Sequence, residues 1–206
     1  RHTERNSGEI SILKHKEQTS VFNHLSTTDM RIISGYLKGR RLSPPANLKA
    51  RPTTDIAKEG LFNILNNEVD FEQVTVLDMF GGTGSISLEF ISRGCTDVTL
   101  IEMNQINYNF IRKTRDEFNL KDAWEIIKGD SFKFIEKCGR KYDIIFADPP
   151  YSHERLKEIP QLVADLGLLS EDGMLILEHP KDFDFSDDEH FFHHRNYGHV
   201  NFSFFR

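Results

Sequence analysis

From Thr54 onward the apolar residues switch repeatedly between two spacings. Residues 54–66 carry Ile56, Leu61 and Leu65 at helical intervals, with Thr53 or Thr54 placed to cap the helix. "VTVLDMF" (74–80) is a short, nearly continuous apolar run and predicts a buried strand. "SISLEFISRG" (85–94) returns to a helical period and ends on a glycine. "DVTLIEM" (97–103) predicts a strand, and 104–119 a helix with Ile106, Phe110 and Phe118 on one stripe. "WEIIKGD" then predicts strand, "SFKFIEKC" helix, "YDIIFA" strand, 154–166 helix and "GMLILEH" strand. Strands and helices alternating at this spacing give an α/β fold: a mostly parallel sheet with helices on both faces. The tail breaks the rule. "HFFHHRN" and "HVNFSFF" flank Tyr197-Gly198, which predicts a terminal hairpin whose last strand runs antiparallel to its neighbours.

Upstream the pattern is weaker and divides the chain into three. Residues 1–29 are polar and without a clear period, and the first methionine is Met30, so this stretch is expected to be a leader or an added extension. Residues 30–53 hold short strand-like pieces with Gly35 and Gly39 as turns, then Pro44-Pro45 and Arg51-Pro52, as in an N-terminal arm. Residues 54–206 form the α/β domain. At 206 residues a single sizeable core is the expectation. With 38% hydrophobic and 28% charged residues the composition is that of an ordinary soluble protein. No apolar run is long enough to span a membrane. Cys95 and Cys138 are the only cysteines and form no CxxC or His/Cys cluster, which argues for a reducing compartment, a cytoplasmic location and no structural metal.

Net charge changes the picture only when resolved along the chain. The total is −6, yet between Arg31 and Lys58 seven basic residues face one acid, Asp55, a local +6. Such a stripe can hold phosphates on an otherwise acidic protein, and Lys38, Arg40, Arg41 and Arg51 are the candidates for RNA contact. A solvated charge run would look the same.

Ligands bind this class of sheet beyond the carboxyl ends of its strands. The first strand runs into Asp78-Met79-Phe80-Gly81-Gly82-Thr83-Gly84, where glycines let the backbone turn sharply and approach a ligand. The second ends at Glu102, where an acid can take both hydroxyls of a ribose. The third ends at Gly129-Asp130, and the fourth at Asp148-Pro149-Pro150-Tyr151. Taken singly, each has a bland explanation. A tight strand-to-helix turn wants glycine, Glu102 could be a solvated strand-end acid, and Asp130 could cap a helix. On one rim they reinforce one another. Asp148-Pro149-Pro150-Tyr151 is the most specific, because a mere turn needs no aromatic after two prolines.

"LDMFGGTGSISLEFISRG", "LIEM", "GDSF" and "FADPPY" resemble a class I S-adenosylmethionine-dependent methyltransferase of the amino-methylating kind. "MRIISGYLKGRRL", "RPTTDIAKEGLFNIL" and "RNYGHVNFSFF" narrow the resemblance to the RsmD family of bacterial 16S rRNA guanine-N2 methyltransferases, over residues 30–206. The resemblance implies seven strands in the order 3-2-1-4-5-7-6, S-adenosylmethionine as methyl donor with S-adenosylhomocysteine as product, and rRNA or a partly assembled small subunit as partner of a monomer. It implies that Glu102 holds the ribose and Met103 packs on adenine. Asp130, Ser131 and Phe132 would surround the adenine, while Asp78 and Phe80, Gly81, Gly82, Thr83 and Gly84 line the methionine part. Thr53 would touch its carboxylate. A Met or Phe at a strand end fills a core or rim as readily as it meets a ligand.

An exocyclic base amine is a weak nucleophile, because its lone pair is delocalised into the ring. Asp148 and the Pro149 carbonyl are expected to accept its hydrogens, Pro150 stiffens the turn, and the Tyr151 ring face stacks on the base. No role falls to the Tyr151 hydroxyl. The alternatives are an adenine-N6 methyltransferase on nucleic acid, a non-catalytic RNA-binding assembly module, and a nicotinamide oxidoreductase. The last would share the glycine turn and Glu102 but has no use for Asp-Pro-Pro-Tyr.

Overall fold

Short runs of Val, Ile and Leu occupy the centre of a twisted sheet, and the chain returns to that centre by way of helices. The computed structural model describes residues 30–48 and 53–206. In chain order the elements are β1 (Met30–Arg31), β2 (Arg41–Leu42), α1 (Asp55–Glu68), β3 (Thr75–Asp78), α2 (Ser85–Ser92), β4 (Asp97–Glu102), α3 (Gln105–Glu117), β5 (Trp124–Lys128), α4 (Ser131–Ile135) and β6 (Tyr142–Ala147). A 3₁₀ turn (Leu156–Glu158), α5 (Ile159–Asp165), β7 (Leu169–His179), β8 (Phe191–Tyr197) and β9 (Val200–Phe205) complete it.

The sheet order is β5-β4-β3-β6-β7-β9-β8. Counted from β3 as the first strand, this is the expected 3-2-1-4-5-7-6. β3, β4, β5, β6 and β7 are mutually parallel, and β9 runs antiparallel to both β7 and β8. The central strands β3, β4, β6 and β9 are buried on both faces, so their side chains alternate between two cores rather than between core and water, while the edge strand β8 is largely exposed. Val76, Ile144, Ile176 and Phe202 face α1, α2 and α3 through Leu61, Phe62, Phe90 and Ile111. Leu77, Ile145, Leu177 and Phe205 face α4 and α5 through Phe132, Ile135, Ile159 and Val163.

The predicted boundaries move where local chemistry overrides the period. Thr54, not Thr53, caps α1, accepting from the Ala57 N–H at 3.2 Å. Ile56 leaves the predicted stripe and is 75% exposed in the first turn. The single helix expected over 154–166 is split, because Pro160 can sit only in the first turn of α5. β7 begins at Leu169, before the predicted Gly173, with an irregular register opposite Tyr142 and Ile144 and Asp172 at φ 62°.

The described part of the arm is built into the core. Met30, Ile32, Leu37 and Leu42 are buried in the α1/α2 layer. Glu89, fully buried in α2, accepts from the Ile33 and Ser34 N–H groups at 2.9 and 3.0 Å, and Ser92 Oγ accepts from the Leu37 N–H at 3.0 Å. Gly35 lies so close to α2 that an added Cβ would fall 1.6 Å from the Ser92 carbonyl oxygen, and its φ of +79° excludes other residues without strain. The expected leader, residues 1–29, lies outside the described residues.

Candidate active site

Beyond the carboxyl ends of β3–β7 a cleft of about 730 Å³ opens. Of the residues singled out from the sequence, Thr53, Phe80, Gly82, Glu102, Met103, Asp130, Ser131, Phe132, Asp148, Pro149, Pro150 and Tyr151 line it. Five strand ends converge there for the reason given by topology. β3 and β6 are adjacent while their connections leave in opposite directions, so the loops part and leave a crevice.

Glu102 is 8% exposed at the end of β4. Its Oε2 accepts from the Gly82 N–H at 2.8 Å and its Oε1 from the Asn104 N–H at 2.5 Å. Main-chain donors thus fix the carboxylate in position, and each oxygen has a second lone pair for a ligand hydroxyl. The glycines divide the labour. A Cβ on Gly81 would strike Leu100 at 2.5 Å, and one on Gly84 would meet Trp124 at 3.0 Å, so these two permit packing of the turn against the sheet. Gly82, at φ 54°, is the one on the cleft wall. Gly81, Thr83, Gly84 and Asp78 stand behind that wall.

Asp78 is buried at the end of β3, with Oδ2 accepting from Ser87 Oγ at 2.7 Å. Burial pushes its pKa up to about 7, and the nearby Glu102 charge adds to the rise. The hydroxyl and N–H of Ser87 and the N–H of Phe80 oppose it, although Oδ1 makes no hydrogen bond of normal geometry.

Asp130 caps α4, accepting from the Lys133 N–H at 3.0 Å, so it serves the helix as well as the cleft. Ser131 Oγ donates to the Met79 carbonyl. Phe132 is buried, its ring stacked on His153 with centroids 4.9 Å apart and approached by the Arg155 guanidinium at 4.3 Å. Met103, 66% exposed, forms an open rim. At the end of β6, Asp148 is half-buried, Pro149 is buried, and the Pro150 carbonyl accepts from the His153 N–H at 2.7 Å, closing the turn that presents Tyr151.

A fifth strand end adds an acid that the sequence expectations did not include. Glu178, near the end of β7 and 4% exposed, lines the cleft beside Asp148 and Tyr151. Its Oε1 accepts from Tyr151 Oη at 3.1 Å and its Oε2 from Thr53 Oγ1 at 3.2 Å. The Tyr151 hydroxyl therefore has a buried partner. The strand-end rule, applied to "LILEH", would have found it. His153, on the turn after Tyr151, carried no such signal.

Residues 30–206 match a family described as conserved hypothetical protein 95. The chain is 33% identical over 156 residues to the Ribosomal RNA small subunit methyltransferase D of Escherichia coli K12, covering 76% of this chain and 77% of that protein. It is 30% identical over 156 residues to the Putative rRNA methyltransferase YlbH of Bacillus subtilis, covering 74% and 84%. The chain belongs to the small-subunit rRNA methyltransferase D family. Among solved structures, the Putative methyltransferase yhhF from Escherichia coli superposes with a TM-score of 0.75 at 28% identity, over 86% of this chain and 97% of that one. The match to the family begins at Met30, so the arm lies within it and the stretch before it does not.

On that arm Lys38, Arg40 and Arg41 are exposed, and the Arg40 guanidinium lies 4.8 Å from the centre of the Phe118 ring on the α3 side. Arg51 lies outside the described residues. Arg31, also basic, is paired with Asp55 at 3.4 Å.

Proposed function

We propose that this chain transfers a methyl group from S-adenosylmethionine to the exocyclic N2 amine of a guanine in 16S rRNA. The observation that carries the reading is the charge of the cleft. Among the described residues its wall holds four carboxylates, Glu102, Asp130, Asp148 and Glu178, and no lysine or arginine. A pyrophosphate-bearing dinucleotide would be repelled by such a wall, while a ligand carrying a sulfonium and an ammonium is favoured by it. The size suits the reading, since a nucleoside-sized ligand fills a cleft of several hundred Å³. Bound S-adenosylmethionine supplies an electrophilic methyl group; the protein supplies the rest.

Glu102, fixed by the Gly82 and Asn104 amides, accepts from the ribose hydroxyls, and Gly82 permits close approach of the backbone. Asp130, Ser131, Phe132 and Met103 form the adenine end, and Phe80 with Thr53 the methionine end; Asp78 stands behind the wall. The target base stacks on Tyr151, and the Asp148 carboxylate and Pro149 carbonyl accept its amine hydrogens, turning the nitrogen lone pair toward the methyl group. As the N–C bond formed, the sulfonium S–C bond would break and S-adenosylhomocysteine would leave; Asp148 would stabilise the positive charge developing on the nitrogen most at that moment, and one amine proton would then pass to solvent. The exposed Lys38, Arg40 and Arg41, with Arg51, hold the RNA by its phosphates.

The test is transfer of labelled methyl from S-adenosylmethionine to small subunits and to free rRNA from cells lacking the gene, followed by nucleoside analysis. N2-methylguanosine at one position is expected. N6-methyladenosine, or no transfer with intact RNA binding, would replace this reading with one of its alternatives.

A further inference from the structure

The three-residue link through Glu178 joins parts of the chain that are far apart. Tyr151 lies on the turn after β6, Thr53 lies just before α1, and Glu178 lies in β7, 125 residues from Thr53 and 27 from Tyr151. β6 and β7 pair in parallel with Ala147 opposite Leu177, so Asp148 and Glu178 follow at the same level of the sheet. Glu178 is placed by strand pairing on both sides, to β6 through Leu177 and to β9 through Phe202. A carboxylate on such a frame is a fixed point. Tyr151 sits on a turn and has two side-chain torsions to settle, and stiff prolines before it restrain its backbone, not its ring.

We propose that Glu178 is a positioning residue: it fixes the Tyr151 ring through the phenol and ties it to Thr53, so that the stacking face is set before the base arrives. The proposal rests on the reading of Tyr151 as the base platform. It assigns the hydroxyl the work of holding the ring plane, and Thr53 the work of holding Glu178 in the conformer that reaches the phenol. Reaction then begins from one arrangement of base and methyl donor rather than from many, which is where a misplacement of an ångström is felt in the rate.

Two measurements separate this from its parent reading. In the first, fluorotyrosine is placed at position 151 and its fluorine resonance followed without RNA. One sharp line is expected in the parent, a broadened or split line in Glu178→Ala, and an intermediate one in Glu178→Gln, with circular dichroism confirming each fold. An unchanged line in Glu178→Ala overturns the proposal whatever the reaction turns out to be. In the second, single-turnover methyl transfer to small subunits is measured at saturating S-adenosylmethionine. Tyr151→Phe and Glu178→Gln should each slow it by about tenfold to hundredfold, and the double variant should be no slower than the slower single one. Losses that multiply would mean that the two residues act independently, against the proposal. A parent protein that methylates no rRNA would defeat the proposed function, while the fluorine spectra would still decide whether Glu178 holds the ring.

Discussion

The two halves of the cleft are held in different ways. On the β3–β4 side the key acid, Glu102, is gripped by main-chain N–H groups of Gly82 and Asn104. On the β6–β7 side the key acid, Glu178, is gripped by side-chain hydroxyls of Tyr151 and Thr53. Main-chain donors are carried by every sequence that can make the turn. Side-chain donors come and go with single substitutions. On the proposed function, a half that always meets the same small methyl donor can be set in backbone, and a half that suits one particular base is easier to retune when side chains hold it. The difference also predicts how each half fails: the first through loss of affinity, the second through loss of rate.

The sharpest break in this comparison is Asp148→Ala. Methyl transfer at saturating substrates should fall by about 10²–10³ in kcat. Affinity for S-adenosylmethionine, measured by calorimetry, should stay within about twofold. A fully active variant would remove Asp148 from the chemistry. Glu102→Ala should behave oppositely, weakening S-adenosylmethionine binding by about 1.5–3 kcal/mol, because a charged acceptor of the ribose is lost. Unchanged affinity would place the ribose elsewhere.

Asp78 sharpens the comparison through pH. Its folded pKa is about 7, above its ordinary value of 3.8. The folded state therefore holds a proton that the unfolded chain has released, and the stabilisation present at low pH is lost as pH rises through that window. Asp78→Asn cannot ionise. Its melting temperature relative to the parent should rise between pH 5 and pH 8 by roughly 5 °C, read by calorimetric scans. A pH-independent difference would show that folded Asp78 is already ionised throughout this range, against a raised pKa. The smallest effect concerns the arm. Changing Arg40 and Arg41 together should flatten the log–log salt dependence of RNA binding by about 1.4, two phosphates at about 0.7 each on a single strand. Binding of S-adenosylmethionine should not move. An unaltered slope would leave the basic stripe a solvated face.

What could be foreseen from the sequence followed from periodicity and from the rule about strand ends. The alternation of strands and helices, the antiparallel tail and the residues at four strand ends all depend on patterns a chain carries locally. What could not be foreseen depends on packing across the sheet. Gly81 and Gly84 look identical to Gly82 in sequence, but only contact with Leu100 and Trp124 sets them apart. Ile56 fits the helical stripe, yet it is exposed in the first turn of α1. The Tyr151 hydroxyl could not be assigned, because its partner is 27 residues on, in a different strand.

Lys58 gives the arm a consequence of a different kind. Its ammonium is buried, donates to the Arg31 carbonyl and to Ser85 Oγ, and lies 3.9 Å from Glu89. Burial lowers its pKa, with Glu89 acting against the fall. The arm, α1 and the helix that follows the glycine turn thus meet at one charge that none can expose alone. Such a knot unties only when the whole layer opens. The amides of Ile33, Ser34 and Leu37 should accordingly exchange with deuterium at rates near those of the central strands, not at the rates of a loosely docked tail. The basic surface and the cleft would then form a single cooperative unit, and the arm could not be moved to another scaffold with its fold intact.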